Sequence, residues 1–393
     1  MPSPTTHELG VLLATLVVVL LAAKLAGEAA ERLGQTAVLG ELLAGVLIGP
    51  SALNLVHESE VLHFLAEIGV ILLLFEIGLH SDLDELITAG VQATAVAVVG
   101  VAAPFLLGFG LARAWDFPTL TAVFVGATLT ATSVGITARV LADLGRLEDV
   151  SARIILGAAV IDDILGLIIL ALVSGLARTG QFSVPVLLWT LLTSVAFLAL
   201  ALVLGVRLAP WLFRWITRMR VRGVLIVYAV AFCLMLATIS ERLGLATIIG
   251  AFAAGLVLAK TDERAHIQEL LHPTADLFVP VFFVTIGLKV QLGVFNPAQA
   301  GAGHLLLFTG LLAVAAVAGK LVSGLAIYQR GVARLPVGVG MIPRGEVGLI
   351  FAGLGLTAGL GGPRLYASLV AVVMLSTFIV PVWLRALYRK ERA

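Results

Sequence analysis

The chain has 393 residues, of which 60% are hydrophobic and only 12% are charged, and its formal net charge is +1. A soluble domain carries about 25% charged residues, so this composition excludes an ordinary soluble enzyme or binding module and indicates an integral membrane protein. The single cysteine, Cys233, excludes an internal disulfide framework.

Apolar runs of about 17–25 residues predict helices that can cross a membrane. The first run, Leu9 to Ala26, has no Lys or Arg before it, so we expect a retained helix rather than a signal peptide. The fold class predicted is an all-α polytopic membrane protein with about thirteen transmembrane helices. In chain order they are 8–27, 36–55, 61–79, 87–111, 119–143, 152–175, 184–208, 223–240, 245–260, 273–289, 303–328, 336–358 and 365–388.

Lysine and arginine are distributed unevenly over the connections between these runs. With the N-terminus outside, eighteen of the 25 basic residues fall on the cytoplasmic side and five fall outside. Because cytoplasmic loops are enriched in Lys and Arg, we expect the N-terminus outside and the C-terminus in the cytoplasm. The segment from Arg207 to Arg222 carries five arginines, which we interpret as positive-inside topology with anionic lipid contact.

Two short motifs recur about 210 residues further along the chain. The run 40–45 resembles the run 250–255, and Ile77-Gly78-Leu79 resembles Ile286-Gly287-Leu288, with offsets of 210 and 209 residues. Each pair is seven predicted helices apart, and an odd spacing reverses the direction of a helix. The pattern therefore predicts two inverted repeats, helices 1–6 and 8–13, which are typical of secondary transporters.

Predicted helices 5 and 12 carry sequences that favour a break. Predicted helix 5 contains the run 128–135, which has four hydroxyl residues that can satisfy freed backbone groups. The repeat offset leads from there to the run 340–346 in predicted helix 12, where Pro343 lies between two glycines. We expect two discontinuous helices that cross at the membrane midplane and expose their half-helix ends.

Asp162 and Asp163 are adjacent carboxylates inside an apolar run long enough to cross a bilayer. A charge at mid-membrane costs roughly 2.5–3.5 kcal/mol, so the pair is predicted to bind a cation and protons. The two side chains lie about 100° apart on a helix, and each is expected to have its own partner. Lys320, alone in predicted helix 11, is one such partner. The alternative interpretation is a static buried ion pair that holds two helices together.

Other polar residues near the breaks have two interpretations. Thr130, Thr132 and Ser133 either offer oxygen ligands to a hard monovalent cation or bond their own helix backbone. Arg344 and Glu346 flank the break in predicted helix 12, where they either pair with each other or stabilise the half-helix ends, and we favour a structural role for both.

Several function classes are disfavoured by the sequence. It contains no Walker A loop, G-x-G-x-x-G element or metal-ligand cluster, which argues against a pump with its own ATPase domain. An intramembrane aspartyl protease needs two aspartates from different helices, whereas Asp162 and Asp163 are adjacent on one, so no enzyme activity is expected. An ion channel of the same fold stays a rival, and saturating flux that drives protons uphill would exclude it.

Taken together, the run 130–133, the Asp162-Asp163 pair, Lys320 and the run 343–349 resemble the bacterial sodium/proton antiporters of the cation:proton antiporter-2 family. The likeness to the thirteen-helix NapA-type exchangers covers nearly the whole chain. It implies that Asp163 is the principal carboxylate for sodium and proton binding and that Asp162 pairs with Lys320.

The resemblance also implies a moving core and a scaffold that forms a homodimer. The core would comprise helices 4–6 and 11–13, and it would slide against the scaffold to alternate access. The corresponding ranges are 1–79 and 223–289 for the scaffold, 87–177 and 303–388 for the core, and 184–222 for linker helix 7 with its basic loop.

By this resemblance the protein exchanges Na⁺ or Li⁺ for H⁺ as a multi-pass protein of the inner cell membrane. The exchange is expected to be electrogenic, one sodium ion for two protons, with a role in pH homeostasis. Its partners would be Na⁺, H⁺, membrane lipids and a second copy, with no cofactor and no nucleic acid. The alternative is a K⁺/H⁺ antiporter or a K⁺ efflux channel-like protein of the same fold. That branch usually carries a nucleotide-binding C-terminal domain, and none follows Tyr388 here, which favours sodium.

Overall fold

The computed structural model describes residues 6–33, 35–81, 83–179, 184–290, 302–329, 331–357, 359–360 and 362–390. Within these residues the chain forms fifteen α-helices, a short 3-10 turn at Gly324–Ala326 and no strand. The helices are α1 (Thr6–Arg32), α2 (Ala37–Ile48), α3 (Glu60–His80), α4 (Leu83–Ala114), α5 (Thr119–Thr128), α6 (Val134–Asp143), α7 (Val150–Thr179), α8 (Val184–Ile216), α9 (Val224–Arg242), α10 (Thr247–Leu258), α11 (Arg264–Leu288), α12 (Ala302–Ser323), α13 (Arg334–Gly340), α14 (Glu346–Thr357) and α15 (Gly362–Lys390).

Eight helices of the described part are long and apolar enough to cross a membrane: α1, α3, α4, α8, α9, α11, α12 and α15. The helices α2, α5 and α10 are apolar but shorter, with 12, 10 and 12 residues. At 1.5 Å per residue they span roughly 15–18 Å, about half of the hydrocarbon core of a bilayer. The predicted all-α architecture is confirmed, and the total of thirteen spans stays a prediction.

Both predicted breaks are observed. Predicted helix 5 consists of α5, which ends at Thr128, and α6, which begins at Val134. Predicted helix 12 consists of α13, which ends at Gly340, and α14, which begins at Glu346.

Three predicted boundaries were wrong by seven residues or more. Helix α2 ends at Ile48 rather than at residue 55, because the following Gly49-Pro50 sequence disfavours helix continuation. Helix α11 begins at Arg264 rather than at 273, because its first turns are polar and lie outside the apolar run. Helix α8 continues to Ile216, so about half of the predicted basic connection 209–222 is helical.

The helices pack in two groups. In the first group α3 packs on α10 and α11, α2 packs on α1 and α11, and α9 packs on α10. In the second group α4 packs on α5, α7 and α12, and α15 packs on α12 and α14. Fewer contacts join the groups, and these come mainly from α6 and α15 against α2 and α3, while α8 touches both groups through α7 and α10.

Glycines bring helix backbones into direct contact within the first group. A Cβ atom on Gly45 would overlap the Val284 carbonyl oxygen and lie 2.8 Å from Gly287 Cα. A Cβ atom on Gly78 would lie 2.9 Å from Gly255 Cα. Helix α2 therefore packs on α11 through the same kind of contact that joins α3 to α10.

Candidate functional site

The two aspartates lie near the middle of α7, and Lys320 lies in the last turn of α12. Lys320 Nζ donates to Asp162 Oδ1 at 3.1 Å. The two side chains are 0% and 1% exposed, so water does not screen their attraction, and loss of either partner would leave an uncompensated buried charge. The pairing of Asp162 with Lys320 is thus present as expected.

One oxygen atom of the carboxylate pair is less well satisfied. Asp162 Oδ2 is buried and has no hydrogen-bond partner within the described part of the chain. Asp163 is buried at 7% exposure, and its charge acts on Lys320. A buried carboxylate oxygen without a donor is unfavourable, so a proton or a small cation would stabilise this site.

The connections between the half-helices bond to each other beside the aspartates. The Ser133 N–H donates to the Pro343 carbonyl at 2.7 Å, and Thr132 Oγ1 donates to the Met341 carbonyl at 3.3 Å. These bonds satisfy backbone groups that the ends of short helices leave free. The two breaks therefore form one crossing, in which Pro343 supplies an acceptor and cannot donate.

Arg344 is fully buried at this crossing and donates only to backbone carbonyls in the bonds observed. Its Nε and Nη2 reach Leu129 O at 3.2 and 2.8 Å, Nη1 reaches Ile342 O at 3.0 Å, and Nη2 also reaches Ala316 O at 3.0 Å. Leu129 caps the C-terminus of α5, so the guanidinium faces the negative end of that half-helix. Arg344 thus stabilises the half-helix ends, and the side chain of Glu346 lies outside the described residues.

The three hydroxyl residues proposed as cation ligands differ in their surroundings. Thr130 Oγ1 donates to a carbonyl at the end of its own helix at 2.8 Å, as the backbone interpretation expects. Thr132 faces Asp162, and the Ser133 hydroxyl lies against Gly345, where an added Cβ atom would come within 2.8 Å of it. Because Thr132 faces Asp162 and Ser133 follows it directly in the break, these two remain the better candidates for ligands.

We expect Arg344→Lys to lower the free energy of unfolding by about 1–2 kcal/mol, because one ammonium cannot reproduce the planar fork that serves three carbonyls. Thermal unfolding of the purified protein in detergent measures the change. Arg32→Lys is the matched control, since Arg32 is an exposed partner of Glu28 and such pairs contribute little. Equal melting temperatures for Arg344→Lys and the wild type would contradict this role.

A cavity of about 570 Å³ lies between α3, α6 and α11. Its polar wall includes Glu76 and His272, whose Oε1 and Nδ1 are 3.0 Å apart, and Arg139 and Asp143, whose Nε and Oδ1 are also 3.0 Å apart. Helix α6 runs from the crossing to this cavity, a distance of roughly 15 Å for ten residues. The cavity therefore reaches part of the way from the surface toward the aspartates.

Two threonines at the crossing were missed in the sequence. Thr137 Oγ1 donates to the Gly340 carbonyl at 2.6 Å, and Thr377 Oγ1 donates to the Arg344 carbonyl at 2.5 Å. Thr137 follows Ser133 by four residues and so lies on the same face of α6, a spacing that could have revealed it. Thr377 carried no such signal, because it lies within the apolar helix α15, outside both breaks.

The family model for sodium/hydrogen exchangers, transmembrane, matches residues 13–390. The chain belongs to the sodium/hydrogen exchanger family. The match includes the aspartate pair, Lys320 and both halves of the crossing, so the resemblance read from those residues is confirmed.

This exchanger is similar to bacterial antiporters along nearly its whole length. It is 42% identical to the high-affinity Na⁺/H⁺ antiporter NhaS3 of Synechocystis, over 98% of this chain and 92% of that protein. It is 37% identical to the Na⁺/H⁺-K⁺ antiporter GerN of Bacillus cereus, over 94% of each chain. It is 34% identical to a Na⁺/H⁺ antiporter of Enterococcus hirae, over 96% of this chain and 98% of that one.

The fold of the exchanger matches a solved structure as well. The sodium proton antiporter MjNhaP1 of Methanocaldococcus jannaschii superposes with a TM-score of 0.67, covering 96% of each chain at 17% identity. At that identity the match shows the fold, and the assignment of the site rests on the geometry of this chain.

Proposed function

We propose that this exchanger moves Na⁺ or Li⁺ in electrogenic exchange for H⁺, with Asp163 as the principal ion-binding carboxylate. The observation that carries the proposal is the buried Lys320–Asp162 ion pair, which leaves Asp162 Oδ2 without a partner in the described residues and lies next to Asp163. Intramembrane charges of this kind mark ion and proton pathways.

The proposed mechanism is competition for one site. A sodium ion binds between the carboxylates with hydroxyl oxygens from Thr132 and Ser133, and its charge weakens the hold of Asp162 on the Lys320 ammonium. Lys320 and Asp163 then release protons, and on the return crossing both are protonated again. Because the cation takes the place of the proton on Asp163 and of the Lys320 ammonium beside Asp162, the cation and the protons are never bound together.

Alternating access is proposed to occur by an elevator movement of a core against a scaffold. Two groups of helices with few contacts between them support this division, and the boundaries 1–79, 87–177, 184–222, 223–289 and 303–388 fit the two groups with α8 between them. The glycine contacts support two inverted repeats. The offset of 210 leads from Gly45 to Gly255, and the offset of 209 leads from Gly78 to Gly287. The Gly45–Gly287 contact in one pair of helices therefore corresponds to the Gly255–Gly78 contact in the other. Opposed helix directions in the repeats are part of the proposal.

We further propose a homodimer formed through the scaffold group and surrounded by lipid, with the N-terminus outside and the C-terminus in the cytoplasm. The outer face of α1 supports this, because Leu13, Leu21 and Leu25 are 56%, 59% and 71% exposed. An apolar face of that extent fits acyl chains or a second copy.

The deciding experiment is a cation series with protein reconstituted in liposomes that contain a pH reporter. We expect Na⁺ and Li⁺ gradients to drive saturating proton flux. The relative GerN is a Na⁺/H⁺-K⁺ antiporter, which favours K⁺ as the second candidate cation. Proton flux driven by K⁺ as strongly as by Na⁺ would replace the sodium proposal, and flux that does not saturate would favour a channel.

Lys320→Gln is expected to leave an exchanger whose rate no longer depends on membrane potential, because one of the two carried protons is lost with the ammonium. Initial rates in liposomes with imposed potassium diffusion potentials test this. Lys260→Gln is the control, since Lys260 pairs with Asp84 at a position far along the chain from the site. A variant that keeps the voltage dependence of the wild type would show that Lys320 carries no proton.

A further inference from the structure

A second group of charged residues, one of them buried, lies at the junction of α2 and α6, away from the aspartate pair. Glu41 on α2 is 2% exposed, and Arg139 and Asp143 on α6 are its strongest charged neighbours. The proposed exchange mechanism gives this group no role. The other charged groups that act on it are Lys24 and Glu31 on α1, Glu76 on α3 and Asp276 on α11.

Asp143 is the better stabilised of the two acids. Its Oδ1 lies 3.0 Å from Arg139 Nε, and its carboxylate accepts a bond from the Val38 N–H. Val38 is in the first turn of α2, whose N-cap residue Thr36 makes no side-chain capping bond. Asp143 therefore caps α2 from another helix, at the end where the helix dipole favours a negative charge.

Glu41 lacks these partners. Its Oε2 atom is buried and has no hydrogen-bond partner among the described residues, and the same is true of Thr36 Oγ1. One guanidinium cannot fully balance two carboxylates, and the acid that is fully buried and has the poorer partners is the one that takes a proton. A bound proton removes the excess charge and gives Glu41 a donor, whereas the Arg139 charge disfavours a metal ion at the same place.

We propose that Glu41 is a proton-binding site separate from the aspartate pair, supplied from the cavity that Arg139 and Asp143 line. With Glu41 protonated, Arg139 forms an ion pair with Asp143 alone. With Glu41 ionised, Arg139 attracts it as well, and α2 and α6 are drawn together. Because α2 belongs to the proposed scaffold and α6 to the proposed core, this proton sets how firmly the two groups adhere. The inference rests on the proposed exchange, since transport is its main readout.

The test compares the pH dependence of sodium-driven proton flux for the wild type and Glu41→Gln, which mimics the protonated acid. We expect the pH of half-maximal rate to move by about one unit, equivalent to about 1.4 kcal/mol of altered proton binding. Glu28→Gln is the matched control, since Glu28 is exposed on α1 and pairs with Arg32. A Glu41→Gln profile that coincides with the wild-type profile overturns the inference.

Failure of the inference and failure of the proposed function are distinguishable. A wild-type protein without sodium-driven proton flux at any pH removes the proposed function, whereas an active wild type with an unaltered Glu41→Gln profile removes only the role of Glu41. If Glu41→Gln does not fold, Asp143→Asn carries the test. This variant removes the competing carboxylate, so the Arg139 charge acts on Glu41 alone and Glu41 holds its proton less tightly. We therefore expect the pH of half-maximal rate to fall, and an unchanged value overturns the proposal.

Discussion

Asp163→Asn is expected to reduce sodium-driven proton flux to the level of liposomes without protein, a loss of at least about 100-fold or ~2.8 kcal/mol. Asparagine has nearly the shape of aspartate, so packing around the middle of α7 is kept. It can neither bind and release a proton nor supply the full negative charge that compensates a dehydrated sodium ion. Proton flux under a sodium gradient, with reconstituted protein at equal protein-to-lipid ratios, measures the effect.

Asp149→Asn is the control for that experiment. Asp149 lies just before α7, is partly exposed and pairs with Arg146 at 3.4 Å, so the same chemical change there should leave exchange near the wild-type rate. Size-exclusion profiles of both variants establish that each is folded. Ion exchange by a well-folded Asp163→Asn protein would show that the principal carboxylate lies elsewhere.

Gly45→Ala is expected to destabilise the protein more than any surface substitution, by about 3 kcal/mol, the upper end of the range for overpacking. The added Cβ atom would meet the Val284 carbonyl oxygen and Gly287 Cα, both backbone atoms of α11. No side chain can move aside, so the two helices must separate. Thermal unfolding in detergent measures the change, with the loss of the monodisperse size-exclusion peak as the signal.

Two further glycine variants make that result interpretable. Gly310→Ala on α12 meets nothing within 4 Å and should be neutral or slightly stabilising, because alanine favours helix by about 1 kcal/mol over glycine. Gly255→Ala meets Gly78 Cα at 2.7 Å and should match the loss at Gly45. A Gly45→Ala protein as stable as Gly310→Ala would contradict the close backbone contact.

The sequence predicted those parts of the site whose signals are local or scarce. The break at Pro343 follows from a missing backbone donor between glycines, and the hydroxyls from Thr128 to Ser133 marked the other break. Lys320 could be paired with an aspartate because charged residues within apolar helices have few possible partners. The role of Asp163 in transport stays a prediction.

Contacts between distant segments could not be predicted from the sequence in the same way. Two of the three carbonyl partners of Arg344 lie at the end of α5 and on α12, and which carbonyls lie within reach depends on how those helices cross. The cap that Asp143 provides to α2 joins residues more than 100 positions apart in the sequence, and no periodic pattern in the sequence predicts it. The early start of α11 was missed for a simpler reason, since a hydropathy pattern follows the apolar part of a helix and not its polar extension.

In the proposed cycle, the buried guanidinium of Arg344 determines which crossing the membrane potential acts on. With sodium bound and Lys320 neutral, the buried charges around the crossing are the Asp162 and Asp163 carboxylates, one sodium ion and the Arg344 guanidinium, which sum to zero. With Asp163 and Lys320 protonated they sum to one positive charge, so a potential of 100 mV acts on the proton-loaded crossing with about 2.3 kcal/mol per full charge moved. Without Arg344 the proton-loaded form would be neutral, and the voltage would act on the sodium-loaded crossing instead.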